Sequence, residues 1–213
     1  MLSVTDITIA RDGMNCHHYD RRMGRWEPDA KGRLRAAALE LFVRQGYEQT
    51  TAAEIAEAVG LTERTFFRHF TDKREVLFDG SDELLHLFVD AAAAAPPEAT
   101  PFEVVVAALA GSAEFFADDR RDWSRRRTGV IQANPALRER ELLKMTGLGE
   151  VLARVLRDRG VADAEATLSA QLGVTVFTVA FEQWIDDEAG RSLVEIEHDV
   201  VRRMRGLTAG IPG

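Results

Sequence analysis

The stretch from Thr51 to Phe70 limits the fold more than any other part of this chain. Thr51 is followed three residues later by Glu54. That is the spacing of a capping box, in which each side chain accepts from the other's amide. Ile55 and Val59 fall four apart on one helical face. Gly60 suits the left-handed conformation that closes a helix. Thr62 then offers a second N-cap. Phe66 and Phe70, again four apart, give the next helix an inner face, while Glu63, Arg64 and Thr65 occupy its outward first turn. Two short helices about a glycine turn, the second led by polar side chains, form the helix-turn-helix pattern. Its second helix is the one that enters the major groove of DNA.

From about Ala30 to Leu77 the chain resembles the N-terminal domain of the tetracycline-repressor (TetR) family. The matching residues are Ala37-Ala-Leu-Glu-Leu-Phe42, Gly46-Tyr47, Thr50-Thr51, Ile55-Ala56, Ala58-Val-Gly-Leu-Thr62, Thr65-Phe-Phe-Arg-His-Phe70, Lys73 and Leu77. The resemblance implies an all-α protein of about nine helices. It has an N-terminal three-helix helix-turn-helix DNA-binding domain and a C-terminal helical bundle for ligand binding and dimerisation. It further implies a cytoplasmic homodimer, usually a repressor, that binds double-stranded operator DNA and a small hydrophobic effector. From Trp123 through Leu137-Arg-Glu-Arg-Glu-Leu142 the body resembles actinobacterial regulators of redox-cofactor or fatty-acyl metabolism.

The chemistry of DNA reading selects particular side chains. Arg64 can fork onto guanine O6 and N7, and Thr65 can bond a base edge or pack on a thymine methyl. Glu63 shares their turn. Thr51 and Thr62, at helix N-termini, can offer hydroxyls and amides to phosphates. Arg68, His69 and Lys73 are the expected phosphate cations. The resemblance supports Thr51, Thr62, Thr65, His69 and Lys73 in these roles. Phe67 stands where the family commonly has a phosphate-binding tyrosine; it can touch only sugar or a thymine methyl.

Charge distribution tempers that reading. The chain carries a net charge of −8. Residues 25–77 hold 9 Lys/Arg and 9 Asp/Glu, whereas residues 78–213 hold 15 basic and 23 acidic groups. A neutral head on an acidic body binds phosphate modestly, so dimerisation is needed to double the contact. The single cysteine, Cys16, forms neither an internal disulfide nor a metal site, which points to a reducing compartment. No signal peptide is apparent, and apolar stretches such as Val174 to Phe181 are shorter than a membrane span.

In chain order, residues 1–24 read as a tail and 25–77 as the DNA-binding domain. A long fourth helix is expected from Asp72 to about Ala95, through Val76, Leu77, Leu84, Leu87 and Phe88, before Pro96-Pro97 break it. Residues 98–208 read as the effector-binding and dimerisation domain. Its helix starts are marked by Thr100-Pro101-Phe102-Glu103, Asn134-Pro135 and Ser192 with Glu195. The charge run from Asp118 to Arg127 reads as a solvated, self-neutralised turn; the alternative is that its Arg120–Arg127 part holds an anionic head group, such as an acyl-coenzyme A phosphate. Phe102, Leu109, Phe116, Trp123, Met145, Leu148, Leu152, Phe177 and Phe181 are the expected lining of an apolar effector pocket. Leu168, Leu172, Trp184, Ile196, Val200 and Met204 are the expected dimer interface. No spacing suggests a catalytic set, a metal site or a cofactor. Two rival readings are a constitutive DNA-binding factor and a small-molecule carrier of the same fold.

Overall fold

The computed structural model describes residues 29–208, so the expected tail at 1–24, with Cys16, lies outside it. Among the described residues all regular structure is helical. The α-helices are α1 (Ala30–Gln45), α2 (Ala52–Glu57), α3 (Glu63–His69), α4 (Glu75–Phe78), α5 (Ser81–Ala94), α6 (Pro101–Ser112), α7 (Arg121–Gln132), α8 (Pro135–Asp158), α9 (Asp163–Ile185) and α10 (Leu193–Thr208). Two 3-10 turns, Ala113–Phe116 and Asp118–Arg120, join α6 to α7.

Local hydrogen bonds set the starts of five of these helices. The Thr51–Glu54 and Thr100–Glu103 pairs form complete capping boxes at α2 and α6. Ser192 and Glu195 make the same reciprocal bonds ahead of α10. Thr62 accepts from the Thr65 amide, and Asn134 from the Leu137 amide. Each cap satisfies an amide that a helix start leaves unpaired.

The long fourth helix is a correction: the chain makes two helices there. Asp72 Oδ1 accepts from the amides of Arg74 (2.6 Å) and Glu75 (3.3 Å), but α4 lasts only four residues. Gly80 then adopts φ 86°, a region that suits glycine. The Ser81 hydroxyl donates back to the Phe78 carbonyl, and α5 begins. A Cβ at position 80 would also meet the Phe115 ring at 3.0 Å. Helical periodicity runs on through this glycine, so the pattern alone conceals the break.

The apolar residues gather into two cores. One unites Leu34, Phe42, Ile55, Phe66, Phe70 and Leu77 of the head with Val130, Ile131 and Leu137 from the α7–α8 corner. The body therefore inserts a corner into the head. The other core packs Phe88, Val105, Leu109, Leu152, Phe177, Trp184 and Ile196 from α5, α6, α8, α9 and α10.

α9 packs against α6, α8 and α10. It is the one described helix long and apolar enough to cross a membrane by length and composition, at 23 residues. The apolar run at 174–181 understated that length. The α6–α9 contact is close: a Cβ at Gly173 would lie 2.1 Å from Val105 Cγ1. Gly173→Ala is expected to force these helices apart and cost about 1–3 kcal/mol. Urea unfolding checks this, and an unchanged midpoint would show that the contact yields freely.

The expected dimer residues divide. Trp184 and Ile196 are 0% exposed and Val200 9%, so these three belong to the protomer's own core. Met204 is partly buried against that core. Leu168 and Leu172 do face outward, together with Val179 on the same face of α9. Apolar residues occur all round α9, so its sequence does not reveal which face the bundle takes.

Candidate nucleic-acid interface and ligand cavity

Phe66 and Phe70 fix α3 in the head. Both are buried, with ring centroids 5.5 Å apart. That anchoring turns Thr62, Glu63, Arg64, Phe67 and Arg68 to the outside as one exposed edge. Thr65 is half-buried, with its hydroxyl 3.0 Å from that of Thr62. The Thr51 hydroxyl and amide both donate to Glu54 Oε2, so Thr51 holds the start of α2.

Two expected phosphate cations sit elsewhere. Lys73 Nζ donates to three carbonyls, those of Tyr47 (2.8 Å), Thr50 (3.0 Å) and Glu48 (3.3 Å). It also lies 4.3 Å from the centroid of the Tyr47 ring. An ammonium has three donors, and all three are used. Lys73 therefore clamps the α1–α2 turn. Burial, with help from Asp72, pushes the Tyr47 hydroxyl up to about 12, so it stays neutral. His69 turns its Nε2 into the protein, where it is buried without a hydrogen-bond partner among the described residues. Arg64 and Arg68 remain as the cations on the exposed edge of α3.

A cavity of ≈ 660 Å³ opens between head and body. Its apolar wall is Leu84, Phe116, Trp123, Met145, Val174, Phe177 and Phe181. The Phe116 ring stands 5.3 Å from Phe181 and 5.8 Å from Phe177, centroid to centroid. The head contributes Gly32, Arg35 and Ala36 of α1, and the α4–α5 break contributes Leu77, Asp79, Gly80 and Ser81. Five of the nine residues expected from sequence line this space: Phe116, Trp123, Met145, Phe177 and Phe181. The other four do not. Leu109, Leu148 and Leu152 fill the body core, and Phe102 packs against it. All four share a helical stripe with core positions, and spacing alone does not separate a filled core from a hollow one. Arg35, Glu141 and Lys144 were not expected at the cavity from sequence, and Arg127 entered only as part of the charge run. Arg127 meets Leu77, fifty residues away, and Glu141 of the next helix, whereas the Glu141–Lys144 spacing of three looks like an ordinary surface pair on a helix.

The charge run also needs correction: it is mostly a helix, and its arginines tie α7 to its surroundings. Arg121 donates to the carbonyls of Asp187 (2.8 Å) and Arg191 (2.6 Å), and Arg125 to that of Ile185 (2.7 Å). Arg126 pairs with Glu40 of α1. Arg127 is buried; its Nε donates to the Leu77 carbonyl at 2.6 Å and its two Nη atoms to Glu141 at 3.0 and 2.9 Å. Elsewhere on the seam, Asn134 Nδ2 donates to Glu48 Oε1 at 2.8 Å, and Arg35 lies 5.0 Å from the Trp123 ring centroid. Burial would raise the Glu141 carboxyl, but the charge and hydrogen bonds of Arg127 hold it below its ordinary value.

Residues 34–79 match the bacterial regulatory proteins of the tetR family, and residues 99–210 match the MftR C-terminal domain. The second match alone covers more than half of the chain. The chain belongs to the tetR family. This TetR-family protein is thus a transcriptional regulator with a DNA-binding domain and an actinobacterial-type C-terminal domain, and not an enzyme. It is 43% identical to the HTH-type transcriptional regulator TcmR of Streptomyces glaucescens over 72 residues, which are 34% of this chain and 32% of TcmR. It is 23% identical over 188 residues to MftR of Mycobacterium tuberculosis, named as a mycofactocin biosynthesis transcriptional regulator, covering 80% of this chain and 87% of MftR. Among solved structures it is similar to Thermus thermophilus FadR, a TetR-family repressor in complex with lauroyl-CoA. The TM-score there is 0.54 and the identity 24%, over 86% of this chain and 96% of FadR. At that identity the likeness is one of fold.

Proposed function

We propose that this TetR-family regulator is a cytoplasmic homodimeric repressor, released from a near-palindromic operator by a small hydrophobic effector. The observation that carries this reading is the position of the cavity. α1 of the head, the α4–α5 break and the aromatic wall of the body all line one space. A ligand there touches both parts of the molecule and the joint between them. It shifts the protein only as far as it prefers one arrangement of that joint over the other. FadR, of similar fold, holds lauroyl-CoA, which supports an apolar ligand class.

For the dimer, Leu168, Leu172 and Val179 of α9 and Leu143 of α8 present exposed apolar surface. α8 and α9 from two copies would close a four-helix bundle over it. Such a dimer sets two recognition helices one DNA turn, ~34–36 Å, apart.

In this reading Arg64 reads a base, Arg68 meets phosphate, and Phe67, 51% exposed, touches sugar or a thymine methyl. Glu63, Thr62 and Thr65 complete the reading edge. Arg64→Ala is expected to cost about 1–3 kcal/mol of operator affinity and to relax one position of the site. Binding to a set of single-base operator variants measures it, and unchanged selectivity would refute the assignment.

A second reading, a small-molecule carrier, draws on the inward-turned Lys73 and His69, which leave few cations on the DNA edge. Capture of genomic fragments by the purified protein, read out by sequencing, separates the two. Recovery of a palindromic site supports the repressor. Absence of enrichment by folded, dimeric protein supports the carrier.

A further inference from the structure

Lys144 lines the cavity from α8, and its ammonium has only a long ion pair, to Glu141 on the same helix. The Glu141 Oε2 atom paired with it is 3.8 Å away, longer than a hydrogen bond. That same carboxylate accepts from both Nη atoms of Arg127. Arg140, the other cation facing Lys144, is held by Glu75 at 2.6 Å. Arg140, Arg127 and Lys144 all gather at the Phe78 ring, 4.5, 5.3 and 5.3 Å from its centroid. Asp82 of α5 also acts on Lys144, but only weakly. The two arginines thus each have a carboxylate of their own. Of the three cations Lys144 alone has no carboxylate at hydrogen-bond distance, and it stands beside the apolar wall of Met145, Val174, Phe177 and Phe181.

Building on the effector reading above, we propose that the cavity takes an apolar carboxylate, with its chain among the phenylalanines and its anionic group on Lys144. The carboxylate gives the ammonium acceptors at hydrogen-bond distance, which it otherwise lacks. It also arrives next to the chain of bonds from Glu141 through Arg127 to the Leu77 carbonyl, where α4 joins the head. A consistent electrostatic sign is that burial pushes the Lys144 ammonium down to about 8, with Glu141 opposing and Arg127 and Arg140 adding to the shift.

The test is calorimetric titration of the full chain with n-decanoate and with methyl decanoate, which has the same chain and no charge. Decanoate is expected to bind at least tenfold more tightly. Lys144→Met should abolish that preference by weakening the acid alone, and Lys144→Arg should retain it. At pH 8 decanoate binding should draw in protons, read from heats in buffers of different ionisation enthalpy. Equal affinity for acid and ester, or a preference that survives Lys144→Met in a folded variant, overturns the carboxylate proposal while leaving an apolar effector in place. Failure of both compounds to bind overturns the carboxylate proposal together with the effector reading.

Discussion

Replacing Arg127 by alanine is expected to cost about 3–5 kcal/mol of folding stability, among the largest effects available to a single side chain here. The guanidinium is buried and makes three hydrogen bonds, one to the Leu77 carbonyl and two to Glu141. Its removal leaves the Glu141 charge on the head–body seam with only the longer pair to Lys144, and leaves the Leu77 carbonyl without its guanidinium donor. Most of the loss comes from the poorly paired carboxylate. The double variant Arg127→Met with Glu141→Leu should therefore recover a large part of it. Urea unfolding of the three proteins measures this. A loss below about 1 kcal/mol for Arg127→Ala would show that the pair is solvated and not part of the seam.

Glu197→Gln is expected to act in the opposite direction and to change the pH dependence of stability. Glu197 is 2% exposed, and both its carboxyl oxygens lack a hydrogen-bond partner among the described residues. Burial alone pushes its carboxyl from 4.5 up to about 8. Below the unfolded value both states hold the proton, and the group carries no penalty for ionisation. Between that value and about 8 the unfolded chain releases a proton that the folded chain keeps. Stability therefore falls as pH rises through this window, by about 1.4 kcal/mol per unit, and levels off above it. Glutamine has nearly the same shape and no proton to lose. The two proteins should match near pH 4.5, and the variant should be more stable by about 3 kcal/mol at pH 7. Stability curves that run parallel from pH 4.5 to 8 would contradict the burial of this carboxyl.

What the sequence made legible follows from the range of the interactions involved. Capping bonds span three residues, so Thr51–Glu54, Thr100–Glu103 and Ser192–Glu195 could be read directly and place the helix starts. Phe66 and Phe70 declared the inner face of α3, and with it the outer edge of Arg64, Phe67 and Arg68. The break at Gly80 was less visible, because apolar spacing continues through it. The isolated glycine in a helical pattern was the available signal. The pocket was half legible: Phe177 and Phe181 mark an aromatic face, but Leu109 and Leu152 follow the same rule and fill the core instead. Trp184 and Ile196 show the same limit. Apolar residues report that a face is covered, not whether the covering comes from the same copy. The role of Arg127 was hidden because Leu77 and Glu141 lie on other helices, and that of Lys144 because its spacing to Glu141 is that of an ordinary solvated helix pair. Lys73 looked like a phosphate cation until the carbonyls of Tyr47, Glu48 and Thr50 closed around it.

Filling the cavity is expected to change operator binding. This can be tested without knowing the natural ligand. Thr178 lines the cavity and is exposed, and Cys16 is the only native cysteine. A Cys16→Ser, Thr178→Cys protein can be tagged with a decyl thiosulfonate, which leaves a ten-carbon chain in the cavity. Anisotropy with a captured operator duplex then compares tagged and untagged protein. Tagging is expected to cost at least tenfold in operator affinity, and the loss should reverse when reductant removes the chain. Equal affinity before and after complete tagging, confirmed by mass, would contradict it.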